Sequence, residues 1–415
     1  MENLIQYLKT RGIINKISDE QKLQEAINKK QGIYIGFDPS FKSLHLGNYI
    51  QIHLLNIFAK YGLPTYAVIG GATGAIGDPS GKKQERQLLD LKQLNINIEC
   101  LTNQIRKLTN IKEIINNATF YKNMTIFGFL RNAGKLINVN YLLEKDIIAR
   151  RLESGISYAE FSYNIIQGYD FLWLYQHKGI AIQCGGSDQW GNITTGLEMI
   201  RKTHEHANAV GITINLLTKA DGTKFGKSEK GAIYLDSDIT SPYEMYQFIL
   251  NQADENLLNM YYFFSDLNIE EINTLLARHK QNPSLRLGQK TLAKEIIEHI
   301  HGHEAYNQCF KISNALFNNK LNELNLSELD VCLQQYNPIV VSSPIKLVDF
   351  LLNNNTGITS KRILRDLIKA QTLLVNNKII NDENVVLNDH DAYLHKYTII
   401  KKGKKNYFII KWTNK

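Results

Sequence analysis

The sequence predicts an α/β fold: a mostly parallel, doubly wound sheet covered by helices on both faces, followed by a helical region and a small α+β module. Short apolar runs recur with helical patterns between them, at GIYIGF (32 to 37), PTYAVIG (64 to 70), GIAIQCGG (179 to 186) and GITINLLT (211 to 218). From Ser241 the strand runs stop, and SPYEMYQFILNQADENLLNMYYFFS opens with a capping serine and a proline suited to a helix start. Near the C-terminus a basic helix pattern precedes a strand, a turn and the alternating YFIIKW. A chain of 415 residues has room for two or three domains. The expected division is a sheet domain at 1–220, a lysine-rich loop and connection at 221–240, a helical domain at 241–325, a linker at 326–343 and the small module at 344–415.

Apolar residues form 43% of the chain, which argues against global disorder. The formal charge of +8 suits a polyanionic partner or simply solubility. Cys100, Cys184, Cys309 and Cys332 form no CxxC pair, so neither a disulfide scaffold nor a structural zinc site is expected, and no metal ligand is assigned. The N-terminal MENLIQYLKTRGIINKI reads as an amphipathic helix, and no stretch approaches 18 apolar residues, so the expectation is a cytoplasmic protein without membrane contact.

In sheets of this kind ligands bind beyond the carboxyl ends of the strands. There the chain places IGFDPSFKSLHLGNY (35 to 49), with two glycines, an aspartate, a proline and a histidine between a strand and a helix. Gly36 and Gly47 allow close backbone approach, and His45 and Asn48 fall at a helix start, where free amides favour phosphate. Two more glycine-rich stretches carry lysine: GGATGAIGDPSGKKQER (70 to 86) and KADGTKFGKSEKG (219 to 231). Neither has Walker or dinucleotide spacing. Each is a phosphate loop or a basic surface loop. Lys224, Lys227 and Lys230 crowd one of them, as suits a loop that closes on an anion. In FSYNIIQGYDF (161 to 171), Tyr163, Gln167 and Asp170 stand at i, i+4 and i+7, on one helix face. Such a face suits a polar ligand, or Asp170 is a buried residue paired to backbone or an arginine.

HLGN (45 to 48) and KFGKS (224 to 228) resemble the two signatures of class I aminoacyl-tRNA synthetases. With GGATGAIGDPSGK, FSYNIIQGYDF and GGSDQWGN (185 to 192), the resemblance sharpens to the bacterial tyrosyl-tRNA synthetase family and covers essentially the whole chain. It implies a Rossmann-like catalytic domain, a helical anticodon-recognition domain and an RNA-binding module similar to ribosomal protein S4. It also implies ATP-dependent formation of tyrosyl-adenylate, transfer of tyrosine to the terminal ribose of tRNA-Tyr, and release of diphosphate and AMP. ATP is a substrate, Mg2+ arrives bound to it, and the family acts as a homodimer. One residue departs from the family: Asn48 stands where the first signature usually ends in histidine. Its amide donates a hydrogen bond but carries no proton or positive charge.

Carried over by position, Tyr34 and Asp170 bond the substrate phenol, while Asp78, Tyr163 and Gln167 hold its ammonium group. Gln189 contacts the amino-acid part and Asp188 the adenylate ribose. Asp38 and Ser40 stand beside the tyrosine and ATP sites, although Asp38 could instead cap its own turn. Lys82, Arg86, Lys224 and Lys227 form the pyrophosphate clamp. With His45 and Asn48 these are the expected catalytic groups, and Gly36, Gly47 and Ser228 complete the nucleotide site. Arg150, Arg151, Arg201 and Lys202 are the candidates for the acceptor stem. The basic helix with Lys361, Arg362, Arg365 and Lys369 is suited to a phosphate backbone. Two other readings use the same residues: a nucleotidyltransferase that needs no RNA, and an RNA-binding scaffold without activity.

Overall fold

A computed structural model describes residues 3–80, 88–152, 155–218, 225–228, 231–318, 320–334, 336–403 and 406–413, with 146, 147, 150, 227 and 228 described by backbone only. Contacts divide the chain into two compact units, Met1–Thr240 with Phe248–Ile300, and Ser241–Gln247 with His301–Lys415. The division falls inside the helical stretch expected at 241–325, most of which belongs to the first unit.

The first unit is built on six strands: β1 (Ile14–Ile17), β2 (Gly32–Phe37), β3 (Thr65–Ile69), β4 (Glu113–Asn116), β5 (Ile180–Gly186) and β6 (Val210–Ile214). Their order is β1-β6-β5-β2-β3-β4. Every neighbouring pair is parallel except β1 with β6. From β2 the chain winds one way through β3 to β4, then crosses back to lay β5 on the other side of β2. The carboxyl ends of β2 and β5 therefore flank the topological switch point, where a crevice opens in doubly wound sheets. Strands β3, β5 and β6 are buried along their whole length, which explains their unbroken apolar runs.

One expectation needs correction here, and one strand was not foreseen. The N-terminal helix is only Leu4–Thr10; Gly12, at φ 64°, turns the chain, and the following INKI is the antiparallel edge strand β1. Strand β4 carried no clear signal because it is a four-residue, half-exposed segment among polar residues.

Helices cover the sheet. Leu46–Lys60 leaves β2, Tyr158–Lys178 precedes β5, and Trp190–Thr203 follows it. Ser157 caps the second of these by accepting from Glu160 N, and Gly179 ends it in the left-handed conformation. This helix and Trp190–Thr203 pack closely because Gly168 and Gly196 face each other's helix: a Cβ on Gly196 would lie 2.9 Å from the Phe171 side chain. That approach brings Gln167 and Gln189 together.

The second unit holds a five-stranded sheet running in the order Lys378–Ile379, Leu373–Val375, Tyr397–Lys402, Asn406–Trp412, Ile339–Val341. Helices Leu347–Asn353 and Lys361–Lys369 pack on it through a core that includes Leu347, Phe350, Leu351, Leu364, Ile400 and Ile410. The stretch 326–343 is not a linker: it forms the helix Leu326–Gln334 and the strand Ile339–Val341, which pairs in parallel with Asn406–Trp412. No helix among the described residues is long and apolar enough to cross a membrane.

Candidate functional site

At the switch point lies a cavity of about 540 Å³. Its walls include Tyr34 and Gly36 from β2, the segment after it through Asn48, Asp78, the helix face of Tyr163, Gln167 and Asp170, Gly185 and Gly186 at the end of β5, and Asp188 and Gln189 after it. Five stretches singled out in the sequence thus converge on one space. At Gly36 a Cβ would meet nothing within 4 Å, so the room beside that backbone is left to the cavity.

One end is a pocket of buried hydrogen-bonded side chains. Asp170 is 4% exposed, and each of its carboxylate oxygens has a donor: Tyr121 Oη at 2.6 Å to Oδ1, and Asn117 Nδ2 at 2.8 Å to Oδ2. Burial pushes its pKa up to about 7, a rise opposed by these two bonds and reinforced by the charge of Asp38. Tyr34 is also buried, and its Oη has no hydrogen-bond partner among the described residues. Burial and the nearby Asp170 push its phenol well up, so it remains protonated and able to donate. A buried hydroxyl without a partner costs about 1–3 kcal/mol, so a polar ligand at this end recovers that cost.

Next to it stands a second carboxylate, Asp38, which accepts from Tyr163 Oη at 3.0 Å and from Thr73 Oγ1 at 3.0 Å. The third is Asp78, which accepts from Gln189 Nε2 at 2.7 Å and from Ser80 N at 2.8 Å. Gln189 Oε1 in turn accepts from Gln167 Nε2 at 3.3 Å and from Asn192 Nδ2 at 3.1 Å. Three carboxylates around one cavity favour a cationic group there.

The other end is made mainly of backbone. Asn48 Oδ1 accepts from His45 N at 3.2 Å, which fixes the first turn of Leu46–Lys60. The second signature rests directly on the first: Leu46 N donates to Ile233 O at 2.7 Å, and Ile233 N donates to Gly226 O at 3.0 Å. Gly226, at φ 88°, lies so close that a Cβ there would sit 2.7 Å from Gly47 N. Lys227–Ser228 pairs with Gly231–Ala232 as a short ribbon.

The structure therefore gathers Tyr34, Gly36, Asp38, Ser40, His45, Gly47, Asn48, Asp78, Tyr163, Gln167, Asp170, Asp188 and Gln189 around one cavity. Lys82, Arg86 and Lys224 lie outside the described residues, as do the side chains of Lys227, Ser228 and Arg150. Asp170 is indeed a paired buried residue, but to side chains rather than to backbone or, among the described residues, an arginine.

Arg151 is corrected as a tRNA contact: its guanidinium is buried, bonded to both carboxylate oxygens of Glu160 at 2.8 and 2.9 Å and to Gly155 O at 3.2 Å. Arg201 is exposed beside Glu198, and Lys202, also exposed, donates to Leu136 O at 2.8 Å. Lys361, Arg362, Arg365 and Lys369 are exposed on their helix, with Arg365 paired to Glu383. Sequence reasoning missed Thr73, Asn117 and Tyr121. The only signal for the last two was a polar NNATFY after the short EII run.

Comparison with known proteins agrees with this geometry. Residues 25–318 match the family model of class I tRNA synthetases for tryptophan and tyrosine, and 331–410 match the SYY-like C-terminal domain of tyrosine–tRNA ligases. The tyrosine–tRNA ligase of Ureaplasma urealyticum is 52% identical over 414 residues, covering 99% of both chains. That of Mycoplasma mobile is 48% identical, over 99% of this chain and 100% of its own. Among solved structures, a C-terminally truncated mitochondrial tyrosyl-tRNA synthetase of Aspergillus nidulans superposes with a TM-score of 0.69 at 28% identity, covering 76% of this chain and 95% of its own. By sequence over its whole length, and with its motifs gathered around one cavity, the chain belongs to the tyrosine–tRNA ligase family of class I aminoacyl-tRNA synthetases.

Proposed function

We propose that the chain activates L-tyrosine with ATP to give tyrosyl-adenylate and diphosphate, then transfers the tyrosyl group to the terminal ribose of tRNA-Tyr with release of AMP. The observation that carries the amino-acid assignment is the buried pair of Tyr34 and Asp170: one a hydroxyl without a hydrogen-bond partner among the described residues, the other a carboxylate with lone pairs to spare. A substrate phenol satisfies both, accepting from Tyr34 and donating to Asp170. Phenylalanine fills the same space and leaves both polar groups unanswered, at a cost of about 1–3 kcal/mol for each.

The ammonium group is read as lying toward Asp78, with Tyr163, Gln167 and Gln189 around it and Asp38 adding negative potential from behind Tyr163. The substrate carboxylate then points along the cavity toward the α-phosphate, which it attacks in line while diphosphate leaves. No covalent enzyme intermediate is required, so catalysis consists of alignment and of stabilising the charge that develops on phosphorus and diphosphate. The positive end of the Leu46–Lys60 helix dipole, with His45 and Asn48, suits the phosphates. Lys82, Arg86, Lys224 and Lys227, with Ser228, are proposed to close on the leaving group, and Asp188 and Ser40 to hold the nucleoside side. Mg2+ enters with ATP as its phosphate complex. The described residues contain no cluster of three His, Cys, Asp or Glu side chains suited to a metal, and no protein ligand is assigned to it.

For the RNA, we propose Arg201 and Lys202 as acceptor-stem contacts. The second unit is taken as an S4-like reader of tRNA through its basic helix Lys361–Lys369. The helical part of the chain is taken to meet the anticodon arm. A homodimer is supported by exposed Ile126 and Phe127, 71% and 80% accessible, on a helix that buries no residue in the monomer. Four free cysteines fit a reducing, cytoplasmic setting. Pyrophosphate exchange with ATP tests the reading: it should depend on tyrosine and barely respond to phenylalanine, and charging should require tRNA-Tyr. Exchange driven equally by both amino acids would refute it.

A further inference from the structure

Asp170 is gripped from one turn. Strand β4 ends at Asn116, and the next residues bring Asn117 and Tyr121, four apart, against opposite oxygens of the same carboxylate. Each oxygen receives one donor and keeps a lone pair for a substrate hydroxyl. Tyr121 stands behind Asp170, outside the lining of the cavity. Its Oη is 2.6 Å from Asp170 Oδ1 and 2.9 Å from Ile166 O. With a single proton it serves one acceptor at a time. When Asp170 is ionised, Tyr121 donates to the carboxylate. When Asp170 holds a proton on Oδ1, that O–H donates to Tyr121, which turns its own hydrogen to Ile166 O. Both states are satisfied, but only in the first does Asp170 accept with its full charge.

We propose that Tyr121 is a positioning residue for tyrosine selection: by donating to Asp170 Oδ1 it fixes that carboxylate as the acceptor for the substrate phenol. The proposal rests on the assignment of Tyr34 and Asp170 to the phenol. The ionisable groups facing Asp170 are Tyr34 and Asp38 from β2 and the turn after it, Tyr121 from the turn after β4, and Tyr163 and Tyr169 from its own helix. Of these only Tyr121 is hydrogen-bonded to it in the structure. Removing that donor leaves Asp170 more easily protonated, since the bond holds its pKa down.

The test is Tyr121→Phe, assayed by pyrophosphate exchange with tyrosine and with phenylalanine between pH 5.5 and 9. The expected result is a loss of about 10-fold in kcat/KM for tyrosine, mostly in KM, with phenylalanine unchanged. The acid limb of the tyrosine profile should also move up by about one pH unit, and KM for ATP should stay put. Equal losses on both amino acids, or an unmoved acid limb, overturn the proposal, because a merely structural hydroxyl predicts those. Asp170→Asn run alongside separates the two levels. An unchanged tyrosine-to-phenylalanine ratio in that variant sinks the phenol assignment itself, whereas a collapsed ratio there with an unchanged one in Tyr121→Phe sinks only the role of Tyr121. If Tyr121→Phe does not fold, Tyr121→Met replaces it with the same expected and overturning results.

Discussion

The two ends of the cavity are made of different materials. The end proposed for the amino acid is a lattice of side chains from the turns after β2, β3 and β4, the helix Tyr158–Lys178 and the turn after β5, cross-linked by hydrogen bonds between 2.6 and 3.3 Å. The end proposed for the phosphates is mostly backbone: the start of Leu46–Lys60, with Gly226 set against Gly47. A preformed lattice selects one ligand by penalising those that leave its groups unpaired. A backbone cradle has little shape to discriminate, but suits charge that appears only as the bond to the leaving group breaks. Selection and acceleration are thus expected to respond to different residues.

The largest expected effect falls on acceleration. Lys227→Ala should lower the activation rate on the order of 100-fold while leaving tyrosine affinity within about 2-fold, since the ammonium acts on charge that develops late. Single-turnover activation alongside equilibrium tyrosine binding measures both, and equal losses in the two would erase the proposed distinction.

At the other end, Asp170→Asn should lower the preference for tyrosine over phenylalanine by about 10- to 100-fold, with KM for ATP nearly constant. The same variant sharpens the comparison through stability. The folded carboxyl has its pKa raised to about 7 from the usual 3.8. Below about pH 4 it is neutral folded or unfolded. Between about 4 and 7 only the unfolded chain readily releases the proton, so the wild type loses stability at up to about 1.4 kcal/mol per pH unit, and above 7 the loss levels off. Asp170→Asn lacks this slope, so its unfolding free energy minus that of the wild type should grow from pH 4 to 7 in denaturant titrations. A flat difference would mean that Asp170 is not held in a desolvated pocket.

A smaller effect should come from Gly226→Ala. The added methyl meets Gly47 N at 2.7 Å, at a φ of 88° that strains any side chain. Pushing the two signatures apart should raise KM for ATP by several-fold, up to about 10-fold for roughly 1 kcal/mol of strain expressed at the site, and leave tyrosine binding unchanged. A rise confined to tyrosine would show that the two ends are not separable.

Much of this was legible in the sequence, and the reason is local. The buried strands β2, β3 and β5 announced themselves as apolar runs, and the face of Tyr163, Gln167 and Asp170 follows from helical spacing within eleven residues. What was not legible depends on sheet order. Asn117 and Tyr121 are 53 and 49 positions from Asp170 and meet it only because β4 closes one edge of the sheet. β4 itself has half-exposed residues and no alternation to mark it. Arg151 shows the converse: a double arginine reads as an RNA contact, yet Glu160, nine residues on, takes its guanidinium into the interior. Charge in a sequence says nothing of which charges are already paired.

The central claim is that the buried end of this cavity is a phenol site. A crystal structure with L-tyrosine tests it most directly: the phenol oxygen should lie about 2.6–3.2 Å from both Tyr34 Oη and an oxygen of Asp170, with the ammonium toward Asp78. A tyrosine bound with its ring turned away from that pair, or a pocket packed shut by protein side chains, would contradict it.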